Sequence, residues 1–166
     1  MADNKDFVIS RVLDAPRELV WKVFSEPERM KEWWGPKGFT VIASKMDFRP
    51  GGIYHYGMQA PNGAAMWGKF VYREIVPPER MVFINSFSDE DGGVTRHPMS
   101  PSWPLEMLST FTFEELPGGK TRFTLRWRAY NASAEEQKTF DAAHDSMNQG
   151  WGGTLEQLTA YLKTAH

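Results

Sequence analysis

Residues 105–130, LEMLSTFTFEELPGGKTRFTLRWRAY, and residues 133–163, SAEEQKTFDAAHDSMNQGWGGTLEQLTAYLK, decide the fold. In the first stretch Leu105, Met107, Phe111 and Phe113 fall on one face of a strand, and Phe123, Leu125 and Trp127 on one face of its successor. Pro117-Gly118-Gly119 between them has turn chemistry. The opposite faces set Thr110, Thr112 and Glu114 against Arg122, Thr124, Arg126 and Arg128, so the hairpin has one wet face and one dry face. In the second stretch Ser133 suits an N-cap, with Glu135 and Glu136 in the first turn. Phe140, His144, Met147, Trp151, Leu155, Leu158 and Leu162 then recur at helical spacing, which predicts one helix from Ser133 to about Lys163. Gly150, Gly152 and Gly153 interrupt the propensity of that helix, each by roughly 1 kcal/mol relative to Ala. A close approach of helix backbone to sheet, or a bend, would offset the penalty.

Upstream, Phe7–Leu13 reads as a strand that Ala15-Pro16 ends. Pro16–Phe24 follows as a helix, with Leu19, Val20, Val23 and Phe24 on one side, and Pro27 separates it from a second short helix to Trp34. Phe39–Phe48, Ile53–Gln59, Ala65–Val76 and Met81–Phe87 read as strands divided by Pro50-Gly51-Gly52, Pro61-Asn62-Gly63 and Pro77-Pro78. This order predicts one α+β domain over 1–166, a curved six- to seven-stranded antiparallel sheet gripping the C-terminal helix. Residues 88–104 are too long and too rich in Gly, Ser and Pro for a tight hairpin. Met99 and Trp103 give that segment the apolar weight of a lid, the alternative being a mobile connection.

Composition narrows the function. A formal charge of -2 without a run of Lys or Arg argues against nucleic acid as a partner, and no stretch approaches the length of a membrane-inserting helix. With no Cys, thiol catalysis, disulfides and thiolate metal sites are excluded, and the histidines lack metal-ligand spacing. No cofactor or metal is expected. The opening MADNKDF has no apolar signal region, so a cytoplasmic location is expected. Seven Trp and eleven Phe point to a core or cavity rich in rings.

Several runs of rare residues occur in a fixed order: Ala15-Pro16 with Val20-Trp21 and Phe24; Trp33-Trp34-Gly35-Pro36; Asp47 and Arg49 with Gly51-Gly52; Gly68 through Glu74-Ile75 to Pro77-Pro78-Glu79-Arg80; and Gly150-Trp151-Gly152-Gly153 with Leu155. Together they resemble the activator of heat-shock-protein-90 ATPase homologue-like (AHSA-type) family, within the START-like or birch-pollen-allergen-like (SRPBCC) superfamily. The resemblance covers nearly the whole chain and implies the helix-grip fold, with a cavity between sheet and C-terminal helix. That superfamily includes lipid carriers, hormone receptors, polyketide cyclases and co-chaperone modules, so the fold implies no single activity. Eukaryotic co-chaperones of the family carry a further N-terminal domain, whereas this chain starts directly at the first strand, which makes a chaperone the less expected partner.

The side chains expected to line the cavity are Trp33, Trp34, Tyr54, His55, Tyr56, Met58, Trp67, Tyr72, Phe111, Trp127, His144, Met147 and Trp151; for each alone plain core packing is the simpler use, and the case for a cavity is collective. The expected space is enclosed, mainly apolar and bounded by His144, Met147 and Trp151. His55 has no assignable face, because Ile53-Tyr54-His55-Tyr56 is aromatic on both parities. His144 is either a proton donor or acceptor within the cavity or a hydrogen-bonded core histidine; His97 lies in the long loop and His166 ends the chain. Asp47, Arg49 and Glu74 could serve a cyclase, but a structural ion pair is the plainer use. The leading expectation is a carrier or sensor of a small apolar or amphipathic molecule. The alternatives are a cyclase, dehydratase or hydrolase acting in the same cavity and a co-chaperone-like protein-binding module.

Overall fold

The computed structural model describes residues 6–35, 38–97 and 100–165. Pro36, Met99, His166 and the start of MADNKDF lie outside them. In chain order the elements are β1 (Phe7–Leu13), α1 (Arg17–Ser25), α2 (Pro27–Trp33), β2 (Thr40–Met46), β3 (Ile53–Gln59), β4 (Ala65–Val76), β5 (Arg80–Ser88), β6 (Val94–Thr95), β7 (Glu106–Leu116), β8 (Lys120–Tyr130), α3 (Ala134–Ala142) and α4 (His144–Leu162). The sheet is antiparallel in the order β1-β8-β7-β5-β4-β3-β2, with β6 paired to β5 alone. This is the helix-grip α+β fold. The two-residue β6 falls inside the segment expected as a loop; it is too short for alternation to reveal.

The β7–β8 register follows from its dry face. Phe113 pairs with Phe123 and Phe111 with Leu125, all four buried, while Glu114 faces Arg122 across the wet face at 3.1 Å. Gly118 and Gly119 close the hairpin at φ of 81° and 73°, a region that side-chain-bearing residues rarely occupy. β1 joins the far side of β8 from Phe7↔Trp127 to Leu13↔Thr121, and buried Thr121 Oγ1 donates to Ala15 O at 2.7 Å where the chain leaves β1. Helices α1 and α2 meet at Glu26, the C-cap of one and the N-cap of the other, because Pro27 has no N–H to continue α1. Val20, Trp21, Val23 and Phe24 turn into the core, where Phe24 stacks on Phe123 at 4.9 Å.

The C-terminal helix differs from expectation in two ways. It is divided at Ala143, whose N–H bonds to Phe140 O three residues back, while Met147 N resumes the ladder on Ala143 O. The tightened turn separates α3, which opens on a full Ser133–Glu136 capping box and buries Phe140, from α4, which buries Met147, Trp151, Thr154, Leu155, Leu158 and Leu162. A close approach of backbone to sheet does not explain Gly150 or Gly152, since a Cβ at either would meet nothing within 4 Å. The helix is held to α2 by side chains instead: Gln157 Nε2 and Thr154 Oγ1 both donate to Gly35 O, at 2.6 and 3.1 Å.

Candidate functional site

Between α4 and the inner face of the sheet lies a largely apolar cleft of about 470 Å³, of the size that holds small molecules. Its position follows from Trp34 and α4. Trp34 caps α2 in extended conformation, so its ring swings away from the helix and over the sheet. There it meets Tyr56 at 5.8 Å, Phe70 at 5.5 Å and Trp151 at 5.5 Å, each nearly edge to face. Trp151 in turn stands on Phe111 at 6.0 Å and Trp127 at 5.5 Å. Beyond these rings Met107, Phe83 and Met147 border the space. Tyr56 fits because Gly68 lies beneath it: a Cβ there would collide with its hydroxyl. The space is half-open rather than enclosed, and exposed Ser146 and Gly150 of α4 stand at its wall.

Of the residues expected at the cavity, the structure brings together Trp34, Tyr56, Met58, Phe111, Trp127, Met147 and Trp151. The others lie elsewhere, each for a local reason. Trp33 is buried under α1 and donates its indole N–H to Val23 O at 3.1 Å. Tyr54, fully buried, reaches the Ser44 hydroxyl at 3.2 Å, and Tyr72 packs edge-on to Phe48 at 5.0 Å, its hydroxyl buried without a partner. Burial pushes both phenols well above their ordinary pKa. His55 shares the outer face with Trp67, the two rings stacked at 5.3 Å, and its Nε2 lies 3.2 Å from Asp89 O. His144 packs among Phe7 and Phe140 at 5.8 and 5.5 Å, away from the residues that border the cleft, and its Nε2 is buried without a hydrogen bond among the described residues. Asp47 pairs with Arg49 at 2.8 Å in the turn after β2, and Glu74 pairs with Arg80 across β4 and β5. None of these four borders the cleft.

Sequence reasoning missed Asn85, Ser86 and Phe87 of β5 and the contribution of His97, Ser100 and Trp103. The signal in β5 was legible: Met81, Phe83, Asn85 and Phe87 share one parity, and an Asn among three apolar residues on an inner face requires an explanation. From the 88–104 segment, His97, Ser100 and Trp103 border the cleft. The segment is tied to α3 by the Arg96–Glu136 ion pair and by Thr139 Oγ1, which donates to Ser102 Oγ at 2.9 Å, while Trp103 packs on Phe140 at 5.8 Å.

The electrostatics of the cleft are nearly neutral. Among its described lining residues only Tyr56 and His97 titrate, and no carboxylate, guanidinium or ammonium borders it. Burial pushes the Tyr56 phenol up to about 12, an effect that the Trp34 indole N–H partly opposes. Burial also lowers the His97 pKa, which favours the neutral imidazole at neutral pH. Such a wall binds apolar bodies and reads polar groups by hydrogen bonds rather than by charge.

A curved antiparallel sheet, a C-terminal helix across it and a cleft between them define a helix-grip protein of the START-like class. Residues 14–163 match the model of the family described as activator of Hsp90 ATPase homolog 1-like protein, and the chain belongs to that family. Three solved structures show the likeness in three dimensions. Protein Ms6760 from Mycobacterium smegmatis is 25% identical with a TM-score of 0.76, covering 97% of this chain and 92% of that one. A protein from Arthrobacter aurescens is 27% identical with a TM-score of 0.78, covering 96% and 86%. Protein NE0264 from Nitrosomonas europaea is 25% identical with a TM-score of 0.74, covering 99% and 97%. Among curated proteins none matches the chain. Among the described residues, no helix is long and apolar enough to cross a membrane.

Proposed function

We propose that the protein binds one small apolar or amphipathic molecule between the sheet and α4, as a carrier or sensor. The supporting observation is the cleft itself, about 470 Å³ of space walled mainly by rings and Met side chains. Water in such a space finds few hydrogen-bond partners, so its release by an apolar ligand is favourable. Of the wall's described residues only Tyr56 and His97 could move a proton, and no carboxylate or cationic side chain borders the cleft beside them, whereas binding needs only the shape and the rings.

N-phenyl-1-naphthylamine, a neutral apolar fluorophore, tests the reading directly. It should bind the native protein one to one, quench Trp emission and raise the melting temperature once its concentration passes the Kd. Met147→Trp should block the probe and leave the protein folded, because the larger ring would occupy the space that Met147 borders. A protein that gives no saturable binding would favour the protein-binding reading.

A further inference from the structure

The dry face of the sheet is interrupted at two neighbouring positions. On β5 the inward series Met81, Phe83, Asn85 and Phe87 contains one amide, and on β7 the series Met107, Ser109, Phe111 and Phe113 contains one hydroxyl. The register places Ser109 opposite Phe83 and Asn85 opposite Met107, so the two polar residues are diagonal neighbours. Both are buried, and the Ser109 hydroxyl donates to Asn85 Oδ1. Two polar side chains amid rings weaken an apolar core unless they have a further use.

Their hydrogen bond determines which end of the carboxamide faces the cleft. If the carboxamide were turned over, Nδ2 would donate to the Ser109 oxygen and the fully buried hydroxyl proton would need another acceptor, a proton left without one costing about 1–3 kcal/mol. Ser109 therefore holds Oδ1, and the amide nitrogen keeps two N–H donors with no acceptor among the described residues. Asn85 borders the cleft. The wall thus has surplus donors but no cationic side chain among its described residues to offset a buried anion.

We propose that Asn85, oriented by Ser109, is the polar recognition group of the cleft, and that the ligand is a neutral molecule with an apolar body and an acceptor oxygen of the ketone, ester or amide kind. This rests on the cleft being a binding site. A carboxylate of similar shape would bind less well, because it would lose hydration without meeting a countercharge. An Asn used only to satisfy Ser109 would show no preference between a carbonyl compound and its hydrocarbon counterpart.

The probe is 6-propionyl-2-(dimethylamino)naphthalene, compared with the 6-propyl analogue that lacks the carbonyl. Wild-type protein should bind the ketone about tenfold more tightly than the analogue, which corresponds to about one hydrogen bond made in a dry site. The infrared carbonyl stretch of the bound ketone should shift to lower frequency than in a non-hydrogen-bonding solvent. Asn85→Leu should abolish the tenfold preference for the ketone over the analogue and return the carbonyl stretch to its apolar position. Equal affinity for both probes in the wild type, or an unshifted carbonyl, overturns the recognition role while leaving the cleft a binding site. The two wild-type measurements stand even if the variant does not fold. Saturable binding of neither probe, nor of N-phenyl-1-naphthylamine, overturns the carrier reading and this proposal with it.

Discussion

Trp151 is enclosed by Trp34, Phe111 and Trp127 and is 6% exposed, so its ring is both a core element and a wall of the cleft. Trp151→Ala is expected to lower the unfolding free energy by about 3–5 kcal/mol, toward the lower end because one side of the ring already meets open space. The denaturant midpoint at unchanged m-value measures it. Thr121 presents a different balance, since its hydroxyl satisfies Ala15 O in a site with no water access. Thr121→Val keeps the shape and strands the carbonyl, and the same titration should register a loss of about 1–3 kcal/mol. The expectation fails if the midpoint does not move.

At the scale of elements, α4 carries glycines that its packing does not require. Gly152 has helical backbone with open space around the missing Cβ, so Gly152→Ala should raise stability by up to about 1 kcal/mol, visible as a higher melting temperature. The attachment of Arg96 to α3 through Glu136 is expected to weaken in acid. The Ser133 backbone N–H, and after it the Arg96 guanidinium, hold the Glu136 carboxyl below its ordinary 4.5. A pKa lower in the folded than in the unfolded state stabilises the fold above the unfolded value, and that contribution is lost as pH falls through the folded value. Glu136→Gln should therefore be less stable than wild type at neutral pH, and the two urea midpoints should converge as pH drops below 4.5. A gap that persists in acid would mean that charge at Glu136 is not the cause.

For the whole molecule, completion of the sheet depends on the long-range β1–β8 pairing, beside which the Thr121–Ala15 bond joins residues 106 apart in sequence. Folding should accordingly be slow for the chain's size, in milliseconds to seconds by stopped-flow Trp fluorescence. Hydrogen exchange should be slowest in β3, β4, β5, β7 and β8, which are paired on both sides, and faster in the edge strands β1 and β2. Equal protection across the sheet would contradict that order.

The sequence alone determined what periodicity can report. Alternation separated Phe123 and Leu125 from Arg122 and Arg126, the Pro- and Gly-rich dividers placed the turns, and Ser133 with Glu136 marked the start of the last helical segment. Parity leaves a strand such as Ile53–Gln59 undecided, because both of its faces carry rings; the sheet put Tyr54 and Tyr56 inside and His55 against Trp67 outside. The division at Ala143 has no breaker residue to announce it, and His97 and Trp103 come from a segment without period. Tertiary structure alone decided which inward rings face other rings and which face empty space. Tyr54 and Tyr56 have the same parity and nearly the same chemistry, yet one is sealed against Ser44 and Phe70 and the other borders the cleft. The difference is what lies over each ring, Ser44 held to Pro27 of α2 for Tyr54 and Trp34 with the half-open space for Tyr56, and proximity between elements leaves no trace in the spacing of residues within one.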